Sequence, residues 1–492
     1  MYPTYARVGF AITIAGLLGV ATYSPAARAA GEAFTAAPVE PAAALRSVAA
    51  VIDDYVQIGL ADNLALANQS LEAQKSLAAL DAARARFLPE LALSARYTRA
   101  EGGREISLPL GQLLNPAYQT LNDLLVAGGG APRFPMLADQ SFPLQLPREQ
   151  DTRLTLRQPL YAPAIPAGVA AARAGANATE FARLAFVRQL RRDIAIAYLD
   201  WLRTGNSAQI IAASAALLAE NLRVNESLFA NGKNTHDAVL RAQSELLAVQ
   251  QQRDEIANSA VKARSYLNFL LNRPLDTPLE MAGFAAAPFT PAGDPATGAV
   301  PASTLAAATR SAISSRPELK QLEAAELAAA AQLRIAHAAR KPSLAFGIDA
   351  GTEGIDYGLG RKYNFTTASL VATWTLFDAG ARAAAISQAR LADRQVRNEQ
   401  QLASARVELE VSQAYDNLRT TSESLATARA RASAARAAFA IASRRRDAGM
   451  ASTLEFLDAR SALTSAELNE NLTRCALLQR QVEFDYARGD SP

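Results

Sequence analysis

The sequence predicts a mainly α-helical protein with a transmembrane β component, assembled from a duplicated helix, β-hairpin, long helix, helix unit. Three observations carry this. A segment recurs in the second half of the chain, an apolar seam of helical period runs through both copies, and four short alternating segments stand at matching places.

The duplication is plainest where Ala230 to Ala242 is echoed by Asp447 to Ala459, with Gly232 falling on Gly449, Leu240 on Leu457 and Ala242 on Ala459. The same offset lays Leu190, Ile194, Ala197, Trp201, Thr204, Ala208, Ile211, Ala215, Leu218 and Leu222 onto Val407, Val411, Ala414, Leu418, Thr421, Leu425, Ala428, Ala432, Ala435 and Phe439. Both series step by four and three, the spacing of a heptad seam.

Composition excludes several classes. Half of the 492 residues are hydrophobic, and 50 basic against 47 acidic residues leave a net charge of only +3, so no nucleic-acid partner is expected. The single cysteine, Cys475, and the two histidines, His236 and His337, supply no zinc site and no intrachain disulfide. No cofactor is expected. No nucleophile motif, phosphate loop or pocket-forming carboxylate pair is present, so the chain does not read as an enzyme. His236 reads as a turn residue, Cys475 as a small apolar filler, and Tyr198, Trp201 and Tyr415 as packing on the seam.

In chain order, residues 1–29 read as an export signal: Arg7, an uncharged apolar run from Val8 to Ala21, and the small-x-small triplet Ala27-Arg28-Ala29. The run is too short to span a bilayer, which takes roughly 20 residues. Unit one, 30–273, holds helices at about 42–87, 164–230 and 234–273 and strands at about 90–99 and 152–160, with a Gly- and Pro-rich loop from Ala100 to Gln150. Residues 274–302 form a Pro/Gly-rich connection. Unit two, 303–489, holds helices at about 303–340, 380–447 and 452–488 and strands at about 343–350 and 366–376. Each strand alternates, as Leu91, Leu93, Ala95 and Tyr97 do against Ala92, Ser94, Arg96 and Thr98, the weak signal of a transmembrane strand. Between Gly380 and Gly449 there is neither glycine nor proline, so the helix there predicts a rod of about 100 Å.

Four strands cannot close a barrel, and open sheet edges are not tolerated in lipid. Three chains pooling their hairpins give twelve strands, an even number within the range of outer membrane barrels. At this point the chain resembles the TolC-like outer membrane efflux proteins, from about residue 45 to residue 489. The carrying residues are Trp374-Thr375-Leu376-Phe377-Asp378-Ala379-Gly380 at the strand-to-helix junction, a degenerate copy at Gln158-Pro159-Leu160-Tyr161-Ala162-Pro163, the Arg316-Pro317-Glu318-Leu319 opening of unit two, and the two glycine turns. The resemblance implies a homotrimer with a twelve-stranded barrel in outer membrane lipid and an α-helical barrel through the periplasm. It also implies a periplasmic adaptor (membrane fusion) protein and an inner-membrane transporter as partners, in a tripartite efflux or type I secretion system. Departures are a unit-one loop much longer than its counterpart, judged from Pro89 to Leu160 against Pro342 to Leu376, and the loss of Asp-Ala-Gly at the first junction.

The resemblance further implies an acidic aperture at Glu455 and Asp458, three residues apart and hence on one helical face. The competing reading of the pair is a pair of acids at a solvated helix start, favoured by the helix dipole. Ala238 and Arg241 stand at the equivalent unit-one positions. A candidate latch pairs the run Arg444, Arg445, Arg446 with Asp237 of the neighbouring hairpin, against the plainer reading of a solvated basic face. A second functional class, a soluble periplasmic coiled-coil scaffold or adaptor, is opposed by the apolar strand faces at Leu91 to Tyr97 and Leu370 to Leu376.

Overall fold

A computed structural model describes residues 46–283, 302–356, 358 and 360–490. The expected export signal and most of the inter-unit connection lie outside the described residues. The elements run α1 (Val48–Asp62), α2 (Leu64–Ala85), β1 (Glu90–Arg99), β2 (Glu105–Leu108), α3 (Leu110–Ala127), β3 (Gln140–Pro143), β4 (Arg148–Tyr161), α4 (Ala164–Ala230) and α5 (His236–Leu270). Then come α6 (Ala302–Ser315), α7 (Pro317–Ala338), β5 (Ser343–Gly354), β6 (Asn364–Thr373), α8 (Ala381–Asp447) and α9 (Thr453–Ala487).

The duplication is kept in the backbone to the residue. Helices α4 and α8 are each 67 residues long and α5 and α9 each 35, and all four boundaries keep the spacing that separates Gly232 from Gly449. At 1.5 Å per residue each long helix extends about 100 Å. Every seam position is buried or half-buried, from Leu190 to Leu222 on α4 and from Val407 to Phe439 on α8. The cores are duplicated too. In one, Tyr198, Ile194 and Leu267 pack under α1, and Tyr198 stacks at 5.5 Å on Tyr55 and at 5.8 Å on Trp201. In the other, the equivalent residues Tyr415, Val411 and Phe484 pack under α6, with Tyr415 and Phe484 6.2 Å apart.

Each opening helix is broken, where the sequence predicted one run. Helix α1 ends at Asn63, which turns to an extended conformation and caps α2 by accepting from Leu66 N through its side chain at 3.0 Å. In unit two the break falls at Arg316, because Pro317 clashes with a helical residue before it and is suited to the first helical position.

Strands β1, β4, β5 and β6 form one antiparallel sheet in that order. Register places Leu91 opposite Leu156 and Leu156 opposite Ile348, Leu93 opposite Leu154, and Phe346 opposite Leu370. These residues share one face, and Leu91, Leu93 and Leu370 are all well exposed. The other face is polar: Arg153 binds Asp151, and Thr155 donates to Asp349 at 2.6 Å. Pro159 lies beyond the last β1 pair, Glu90 with Arg157, where its missing N–H costs no bond to β1, and the register slips there. Strands β4 and β5 run further than the sequence indicated, whereas β6 stops at Thr373. Trp374 leaves the ladder and donates its indole N–H to Arg340 O at 3.1 Å.

The Gly- and Pro-rich loop read from Ala100 to Gln150 contains folded elements. It holds the β2–β3 hairpin and α3, whose six leucines recur at helical spacing and whose end is set by Gly128-Gly129-Gly130, with Gly129 at φ +83°.

Candidate functional site: the hairpin tips and the strand-to-helix junctions

Both tips close with the same device. At the end of α4, Lys233 N bonds Leu228 O at 2.8 Å and Gly232 N bonds Phe229 O at 2.9 Å; at the end of α8, Met450 N bonds Arg445 O at 2.7 Å and Gly449 N bonds Arg446 O at 2.8 Å. This is the paired bonding of a Schellman cap, which needs a left-handed residue at its glycine. Gly232 has φ +68° and Gly449 φ +72°.

Beyond the second tip, Ser452 caps α9 by accepting from Glu455 N at 3.2 Å. Phe456, Leu457 and Arg460 are buried, Phe456 against Phe439 at 5.6 Å and against the Arg446 guanidinium at 4.1 Å. With about 100° between successive residues, Glu455 and Asp458 point away from that buried face. Both are exposed, as an aperture pair requires and as a helix-start pair equally allows. Their unit-one counterpart differs: Ala238 is buried, and Arg241 bonds Asp237 along its own helix at 3.0 Å.

The candidate latch is not made within one chain. Asp237 holds Arg241, Arg445 donates to Met450 O at 3.4 Å, and Arg446 lies over Phe456. Burial lowers the pKa of the Arg446 guanidinium from its ordinary value.

At the junction after β6, Ala379 (φ +50°) and Gly380 (φ +90°) turn the chain into α8. Asp378 accepts from Gly380 N at 3.3 Å and Arg382 N at 3.0 Å and binds the Arg382 side chain at 2.6 Å, so it satisfies backbone donors in the first turn from just ahead of the cap residue Gly380. Leu376 and Phe377 stay 76% and 86% exposed, an apolar collar at the foot of the sheet. In unit one, Pro163 occupies the capping position that Gly380 holds in unit two, and Leu160 and Tyr161 are exposed likewise.

Two clusters escaped the sequence reading. Arg188, Arg192 and Arg316 all lie over the Tyr486 ring, at 4.9, 4.5 and 5.7 Å. Glu318 bonds Arg188 at 3.2 Å and Glu410 bonds Arg316 at 2.7 Å, tying α4, α7, α8 and α9 together where the units meet. Arg316 was legible only as part of the Arg-Pro-Glu-Leu opening. The second cluster is a polar zipper between α4 and α9: Asp200 with Gln479, Ser207 with Asn471, and Ser214 with Thr464 and Arg460. Residues this far apart in sequence carry no local signal.

Among the described residues no helix is long and apolar enough to cross a membrane, and no group of His, Cys, Asp or Glu is placed to hold a metal. Burial pushes the Cys475 thiol up to about 12, so it stays neutral.

Two 67-residue rods thus stand on a small sheet with one apolar face. Residues 308–489 match the outer membrane efflux protein family. No functionally curated protein matches the chain. Among solved structures, the outer-membrane channel OprN is 17% identical, with 96% of this chain and 98% of that one covered and a TM-score of 0.70. The Campylobacter jejuni CmeC outer membrane channel is 16% identical over 95% and 94%, at 0.73. The open-state Neisseria gonorrhoeae MtrE outer membrane channel is 18% identical over 90% and 89%, at 0.69. These share the fold. The fold of the chain is thus that of these outer membrane channels, and the match to the outer membrane efflux protein family lies in unit two. That family is one of efflux proteins and the neighbours are channels, and the exposed leucines on one face of the sheet oppose the soluble scaffold reading.

Proposed function

We propose that this protein is the passive exit duct of a tripartite efflux or type I secretion system, a homotrimer that docks a periplasmic adaptor and an inner-membrane transporter. The observation that carries this is the four-stranded sheet, whose two edge strands, β1 and β6, lack a partner on one side among the described residues while its apolar face is open. Lipid forbids such edges, so copies must pair β1 with β6 around a ring. The rods then hang from the ring as a helical barrel, and because α4 and α8 match in length, six Gly turns reach one level for the adaptor.

Glu455 and Asp458 are the aperture of this duct. Three copies supply six carboxylates around one axis, where like charges repel and cations are attracted. In a planar bilayer the purified protein is expected to prefer cations and to be blocked by trivalent ones from the tip side. Replacing both residues by Ala is expected to relieve the block and reduce the selectivity while leaving the assembly intact. Unchanged selectivity and block in the double variant would show that the pair only starts a helix.

A further inference from the structure

Beyond the outer end of β1 and β4 lies a folded insert whose main helix presents an uncovered leucine face. Around α3, Leu110, Leu113, Leu114, Leu121, Leu124 and Leu125 fall on one side at the helical period. Leu113 and Leu124 are 70% and 65% exposed. An adjacent side is fastened to the returning chain. Asn115 donates to Leu137 O at 2.9 Å and accepts from Leu137 N at 2.7 Å. Further along the helix, Asn122 donates to Phe134 O at 2.8 Å and accepts from Phe134 N at 3.0 Å. Asp139 accepts from Gly111 N at 2.9 Å, holding the start of the helix. The contact is close enough that a Cβ at Gly111 would stand 2.5 Å from Leu137 O. The leucine face is therefore held in one orientation by bonds on a different face, a preorganised surface with none of the described residues upon it.

We propose that this face is the contact surface for α3 of neighbouring copies, so that three inserts meet as a cap over the outer mouth of the duct. The inference rests on the trimeric reading given above. Two observations select a second copy as the occupant. First, the insert follows β1, whose free edge is where the next copy must pair, so the neighbouring chain stands beside the insert. Second, the only charged residue of α3 is Asp123, on the side away from the leucines. Helices that lie on a lipid surface carry Lys and Arg on the polar face, and α3 has neither. Identical neutral apolar faces, in contrast, meet around a three-fold axis without repulsion and bury what each chain leaves exposed.

The test uses the full protein in outer membranes with Leu121→Cys, since Cys475 is buried and does not contribute crosslinks. Mild oxidation is expected to give covalent pairs of chains with Leu121→Cys and none with Gln119→Cys, which lies across the helix. A second measurement attaches a fluorophore at position 121 and adds a lipid-soluble quencher; the packed face is expected to be protected. Crosslink-free Leu121→Cys with strong lipid quenching, in a protein whose native mass is still that of a trimer, would assign the face to lipid and overturn the cap while leaving the duct intact. A native mass of one chain would remove both.

Discussion

Gly232 and Gly449 stand at equivalent places in the two units and adopt the same left-handed conformation, at φ +68° and +72°, each closing an identical cap at the end of a 67-residue helix. A Cβ at either site would meet nothing within 4 Å, so the requirement for glycine is conformational and not steric crowding. Gly449→Val is expected to cost about 1 kcal/mol or more through strain, and Gly449→Asn much less, since asparagine tolerates this region. Export should fail in the valine variant while sheet assembly in the membrane persists. Transport assays beside a membrane-fraction blot check this, and full export by Gly449→Val would show that the tip is not the docking surface.

The two faces of the sheet predict opposite responses to charge. Leu93 is 72% exposed on the apolar face, and Ser94 follows on the polar one. Leu93→Arg is expected to cost about 2–4 kcal/mol if it sits near the bilayer midplane, depleting the protein from outer membranes. Ser94→Arg should be tolerated. Quantitative blotting of membrane fractions distinguishes the two, and equal depletion would mean the faces are assigned wrongly.

Where the units meet, Arg188 is buried with Glu318 as its ion-pair partner at 3.2 Å. Removing Glu318 strands the buried guanidinium, at a cost of about 3 kcal/mol, whereas Glu318 itself keeps Arg316 at 3.5 Å and the Tyr486 hydroxyl at 3.3 Å. Glu318→Gln should therefore lower the thermal midpoint of the helical circular dichroism signal more than the double change with Arg188→Ala does. A double variant as unstable as the sum of the singles would mean that the pair is not coupled.

Burial raises the pKa of Asp485, opposed by the Gln481 hydrogen bond and by Arg488. A carboxyl bound more tightly to its proton in the fold than in the unfolded chain contributes stability at low pH, which is lost as pH rises through its folded pKa. At neutral pH the buried charge is thus a cost. Asp485→Asn, which keeps an acceptor for Gln481, should raise the melting temperature at pH 7, with the advantage shrinking as pH falls through the folded pKa. An advantage independent of pH would rule out the titration.

The sequence made the long rods legible because the seam from Leu190 to Leu222 and its copy from Val407 to Phe439 impose a period that no loop imitates. The turns at Gly232 and Gly449 were legible for the same reason, as interruptions of that period. The breaks at Asn63 and Arg316 were missed in spite of Pro317, since apolar residues continue on both sides and the capping bond of Asn63 is a matter of geometry. Helix α3 was hidden by Pro116 within it and by the glycines behind it, which read as loop. The acidic pair was found by resemblance, not by any local signal. The Tyr486 cluster draws on residues 188, 192, 316, 318 and 410, and only folding brings these together.

In the proposed trimer the β1 and β6 edges of one copy are completed by others. Native mass spectrometry of the protein, extracted from outer membranes in mild detergent, measures this directly. A single species of three chains that keeps its mass on dilution is expected. A monodisperse single chain with the same helical content would contradict it.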